Sequence, residues 1–115
     1  MTTPIAGPAK PVHDLAAIHQ AAAVGHVRWQ DSVNDDLHLY EYSVDDVLDC
    51  LQALCLPHFS KTLDYNDGKG PFDVYKLPWH HFIPSQKRKR WDMLYIKIKV
   101  TKNGQAAFML SFHPS

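Results

Sequence analysis

The sequence has no apolar run near the roughly 18–20 residues that a helix needs to cross a bilayer, and no basic stretch followed by an apolar block at its start. Neither a membrane span nor a secretory signal is expected, and a cytoplasmic location follows. Cysteine is scarce, with only Cys50 and Cys55. They lie five apart in what reads as one helix, about 140° around its axis at roughly 100° per residue, so they cannot bridge each other. The sequence contains no CxxC, no HxxxH and no mixed Cys/His cluster. His80 and His81 are adjacent, so their rings diverge in extended chain. No metal and no cofactor are expected. GxSxG, the P-loop and GxGxxG are absent as well, and Lys69 in Asp67-Gly68-Lys69-Gly70 reads as a turn residue rather than a phosphate clamp.

Net charge is also zero, yet it is unevenly spread. Residues 1–57 carry two cations (Lys10, Arg28) against eight anions, a balance of −6, and residues 58–115 carry ten cations against four anions, a balance of +6. A basic half can attract a polyanion, and an acidic half can screen it or meet a basic partner.

At 115 residues and 45% hydrophobic, the chain suits one compact domain. Residues 1–12 hold three prolines and read as a flexible leader to a domain over 13–115. Asp14 can cap a helix running to about Val24, with Leu15, Ile18 and Ala22 on one face and Gly25 as its stop. Val27–Trp29 suits a short strand and Ser32–Leu37 a helical turn. Ser43 can cap a second long helix, in which Val44, Val47, Leu48, Leu51, Leu54 and Cys55 form an apolar stripe that ends at Pro57. Residues 71–78 read as an edge or short strand bounded by prolines. Residues 93–101 alternate, with Leu94, Ile96, Ile98 and Val100 on one side and Tyr95, Lys97, Lys99 and Thr101 on the other. Residues 106–113 follow after Asn103-Gly104 as a last strand. Helices first and strands after predict an α+β fold, a small antiparallel sheet with helices packed on one face.

The register of the final hairpin decides which side chains share a face. A two-residue Asn103-Gly104 loop would set Lys97 against Leu110 and Tyr95 against Phe112, mixing polar and apolar rows. A three-residue loop sets Lys99 against Met109, Lys97 against Ser111 and Tyr95 against His113, and leaves Phe108, Leu110 and Phe112 for the helices. The second register is preferred because a half-buried sheet needs one apolar side. It gathers Tyr95, His113, Lys97 and Lys99 on the open face.

Read in order, Phe59-Ser60-Lys61, Asp73-Val74-Tyr75, Leu94-Tyr95-Ile96-Lys97 and Leu110-Ser111-Phe112-His113 resemble the motifs of the MqsR toxins, over roughly residues 13–113. The resemblance implies a RelE-like α+β fold. It also implies a metal-independent mRNA endoribonuclease, the toxin of a bacterial type II toxin–antitoxin pair, with mRNA and an antitoxin as partners and the ribosome left open. Its catalytic residues would be Lys61 on the scissile phosphate, Tyr95 in orientation or proton transfer, and His113 as general acid. Lys97, Lys99, Phe72 and Tyr75 would meet substrate. This chain departs from the family at His113, where the family has lysine, and at Phe72, where it has glutamine. It also runs longer between Tyr75 and Tyr95. There Lys87, Arg88 and Arg90, with Trp79, Phe82 and Trp91 around them, can hold a phosphate backbone while rings stack on bases. The competing reading is a catalytically degraded module that binds RNA or protein.

Overall fold

A computed structural model describes residues 3–4 and 10–115. Helix α1 spans Leu15–Ala23, with the Asp14 carboxylate accepting from the Ala16 amide at 3.0 Å. It buries Ile18, Ala21 and Ala22 and stops at Gly25, whose φ of +75° an L side chain resists. Helix α2, Asp31–Tyr40, is a full ten-residue helix where only a turn was expected. It buries just Val33 and Leu37 among acidic residues, so its apolar stripe is too thin to stand out in the sequence. Helix α3, Val44–Ala53, starts with a reciprocal capping box between Ser43 and Asp46. It ends earlier than expected, at Ala53, with Leu54 extended and a single 3-10 turn, Leu56–His58, around Pro57. Cys55 is therefore outside the helical period and exposed, Val44 sits exposed at the first turn, and Cys50 takes the buried place beside Val47, Leu51 and Leu54.

The strands are β1 (Thr3–Pro4), β2 (Val27–Trp29), β3 (Phe59–Asp64), β4 (Pro71–Ile83), β5 (Arg88–Val100) and β6 (Ala107–Pro114), in the order β1-β3-β4-β5-β6-β2. The sheet is mixed rather than purely antiparallel, because β2 returns from α1 to lie parallel to β6. The fold is α+β. Tyr75 and Leu77 of β4, Leu94, Ile96 and Ile98 of β5, and Ala107, Met109 and Phe112 of β6 form one core with the buried residues of the three helices. The helices leave the opposite face of the sheet uncovered. Among the described residues no helix is long and apolar enough to cross a membrane.

Of the expected leader, Thr3 and Pro4 pair with Asp64 and Leu63 on the edge of β3, and residues 1–2 and 5–9 lie outside the described residues. One expectation about the chain path is corrected. The β4 strand is not short, and only its part past Tyr75 lies at an edge. It runs 13 residues between β3 and β5, and Pro78 is tolerated because β3 pairs only as far as Tyr75, leaving one side of β4 unpaired beyond it.

Buried Asp73 ties the start of the described domain to the sheet. It accepts from the amides of Val12 (3.0 Å) and His13 (2.7 Å) and from Thr62 Oγ1 (2.7 Å). A polar cluster clasps the far half of the β4–β5 hairpin to the α2–α3 corner. The His81 ring stacks on Tyr42 at 3.7 Å and bonds the Glu41 carbonyl, while Tyr42 Oη and the Arg90 guanidinium both donate to Asp92. Burial alone would raise the Asp92 carboxyl, but the bonds from Arg90 and Tyr42 outweigh it and hold it below its ordinary value. Burial first, and then Asp92, pushes the Tyr42 phenol up.

Candidate functional site

Two bulges decide what reaches the open face. In β3 the register shifts between Phe59 and Lys61, with Phe59 opposite Tyr75 and Lys61 opposite Val74. Without that extra residue the two would share a face, since side chains alternate with period two. The bulge at Ser60 lets Phe59 pack edge-on against Tyr75 in the core while Lys61 is exposed on the other side.

The second bulge lies in β6. Tyr95 pairs with His113 and Lys97 with Ser111, as expected, but Ile98 pairs with Met109 and Lys99 with Phe108, so the register slips by one at Leu110. The Thr101 amide bonds the Ala106 carbonyl, closing a loop of four residues, 102–105, instead of the expected three. Near the loop the pairing follows the two-residue alternative, and beyond the bulge it follows the three-residue one. Met109 and Ala107 consequently enter the core, while Phe108 and Leu110, expected against the helices, are half-buried on the open face.

The open face is built in rows across the strands. One row runs Lys61, Val74, Lys97, Ser111; the next carries Lys76, Tyr95 and His113; on the other side Phe72 lies beneath Lys99, which pairs with Phe108. By strand alternation Asp64, Asp73 and Asp92 all point to the helix side, so the strands contribute ammonium groups here and no carboxylate. Tyr95 and His113 stack with ring centroids 5.4 Å apart and planes 14° from parallel. His113 Nδ1 lies 2.9 Å from the Pro114 carbonyl. A carbonyl only accepts, so Nδ1 carries the proton and Nε2 is left for other work. Lys97 Nζ hydrogen-bonds Tyr65 Oη and sits 4.9 Å from the Tyr65 ring centroid and 5.8 Å from that of Tyr95. Lys61 stands two strand spacings from Lys97, about 10 Å along the row.

Other expected site residues lie elsewhere. Tyr75 is fully buried on the helix side and cannot meet a substrate; its hydroxyl has no hydrogen-bond partner among the described residues, and burial, then Asp73, raises it. Phe72 is on the open face but only 2% exposed, covered by Lys99 at 5.3 Å and by the edge of Tyr65, so it is a floor and not a free stacking surface. Lys87 and Arg88 are exposed at the tip of the β4–β5 hairpin, about 23 Å along the strand from Tyr95. Arg90 turns to the helix side, where Asp92 holds it. The rings around them also divide. Trp79 packs towards the core, whereas Phe82 and Trp91 are exposed, Trp91 stacked on His80 at 4.5 Å.

Sequence reasoning missed Tyr65, Lys69, Lys76 and Phe108. Tyr65 and Lys69 sit in a loop with no periodicity, and Phe108 reaches the open face only through the bulge. Several histidines are occupied structurally: His13 donates to the Pro71 carbonyl, His19 to that of Leu54 and His81 to that of Glu41. Compared with known proteins, the chain matches no protein-family model and no curated sequence.

Proposed function

We propose that this chain is a metal-independent mRNA endoribonuclease of RelE-like type, acting in the cytoplasm as the toxin of a type II toxin–antitoxin pair. The observation that carries the reading is the open sheet face. It presents Lys61, Lys97, Tyr95 and His113 together, with no strand carboxylate to repel a phosphate. The motif resemblance supplies the class of reaction.

In that reaction the ribose 2′-oxygen gives its proton to solvent water and attacks the adjacent phosphorus. The bond from phosphorus to the 5′-oxygen breaks, and that oxygen takes a proton, leaving a 2′,3′-cyclic phosphate and a 5′-hydroxyl. Lys97 and Lys61 stabilise charge growing on the phosphoryl oxygens. His113 as imidazolium keeps its Nδ1 proton on the Pro114 carbonyl and gives its Nε2 proton to the leaving oxygen. Tyr95, stacked on that ring, holds it in place and orients the ribose. The antitoxin would cover this same face.

A second reading, a module that binds RNA or protein without cutting, draws on the burial of Tyr75, which takes that family-pattern side chain off the open face, and on Phe72, which stands in place of the family's glutamine and lies covered under Lys99 and Tyr65. The purified chain incubated with a long RNA in EDTA distinguishes them. Fragments ending in cyclic phosphate and 5′-hydroxyl are expected; intact RNA over the whole course would leave only the binding module.

A further inference from the structure

The β6 bulge makes a feature that the proposed reaction does not use. By turning Phe108 and Leu110 to the open face it creates a depression of about 500 Å³, bordered by these two side chains, Phe72, Lys99, Lys69 and Gln30. That volume lies within the usual range for small-ligand sites. Its lining is apolar with a few polar groups at the rim. Lys99 Nζ spends one donor on the Lys69 carbonyl at 3.0 Å, leaving two. Lys69 itself is exposed. Gln30 uses its amide nitrogen on Ser32 and the Leu110 carbonyl, which points its oxygen the other way as an acceptor. The depression starts one side-chain row from Lys97, about 7 Å along β5.

We infer that this depression is a nucleobase subsite beside the scissile phosphate, and that it selects bases bearing a ring carbonyl. A flat ring fits against Phe108 and Leu110, and the Lys99 ammonium, with exposed Lys69 beside it, needs acceptors. Guanine, uracil and cytosine offer carbonyl oxygens there, whereas adenine offers ring nitrogens alone and turns a donor amine towards a cation. The inference rests on the nuclease reading for its position next to the cleaved bond, but base binding can be observed without cleavage.

Two measurements test it. In the cleavage map of a long RNA of even composition, adenine should be under-represented roughly five- to hundredfold at one fixed offset from the cut, the range of a lost paired contact. Phe108→Ala and Lys69→Met, neither of them in the reacting set, should keep the cleavage chemistry and lose that depletion. In parallel, titration with nucleoside monophosphates should shift the Phe108 and Lys99 backbone NMR signals with GMP and UMP but not with AMP. Even base usage at every offset, or unchanged maps in both variants, overturns the inference and leaves the nuclease intact. Absent cleavage with selective GMP and UMP shifts supports the subsite and sinks the nuclease. Equal shifts with AMP, or none at all, overturn the subsite whatever the cleavage result.

Discussion

Replacing His113 with alanine should separate catalysis from stability. In the fold the ring makes one aromatic pair with Tyr95, 5.4 Å between centroids, and one local hydrogen bond to the neighbouring Pro114 carbonyl. Such a pair contributes about 0.5–1.5 kcal/mol, and a half-exposed local bond about 1 kcal/mol or less, so unfolding free energy should fall by about 1–2 kcal/mol. A positioned general acid contributes about 10²- to 10⁴-fold to rate, equivalent to about 3–5 kcal/mol of barrier. His113→Ala should thus remain folded while cleavage drops at least a hundredfold. The assay is the initial rate of 5′-hydroxyl formation on a long RNA in EDTA across pH, with urea unfolding of the same samples. Ser111→Ala, on the adjacent pair, is the control. Wild-type rates in a folded His113→Ala protein would refute the assignment of the proton donor.

Lys61→Ala should lower cleavage tenfold or more with an unfolding midpoint near wild type, because Lys61 is exposed and makes no packing contact that the β3 bulge requires; a parallel loss of stability would recast it as structural. Tyr75→Phe should be neutral or stabilising by about 1 kcal/mol in urea unfolding, since it removes a buried hydroxyl without a partner among the described residues. The Asp92 carboxyl is held below its ordinary value in the fold. The stability it contributes is therefore complete above the unfolded value of about 3.9 and is lost as pH falls through the lower folded value. Asp92→Asn should cost about 1–3 kcal/mol at neutral pH and flatten the acid limb of the stability curve; an unchanged acid limb would remove Asp92 from that role. Lys87→Ala with Arg88→Ala should weaken retention of long RNA and spare short oligonucleotides, as these cations at the hairpin tip lie about 23 Å along the strand from Tyr95; equal loss on both lengths would place the effect at the catalytic rows.

What the amino-acid order settles here is local. Capping at Asp14 and Ser43, the stripe through Val47 and Leu51, the alternation of 93–101 and the separation of His80 from His81 all depend on neighbours a few positions apart. The meeting of Tyr95 with His113 was legible too, from the match of polar rows far from the loop, although the bulge at Leu110 breaks that match nearer to it. The tertiary structure decided the rest. An extra residue at Ser60 and another at Leu110 cost nothing in periodicity that a sequence reading could detect, yet each reverses every side chain beyond it. That reversal exposes Lys61, brings Phe108 out and takes Met109 in. Tyr65 joins Lys97 across 32 positions through a loop, and Asp92 captures Arg90 and Tyr42 on the helix side. Such pairings follow from how strands and helices close on one another, which no window along the chain contains.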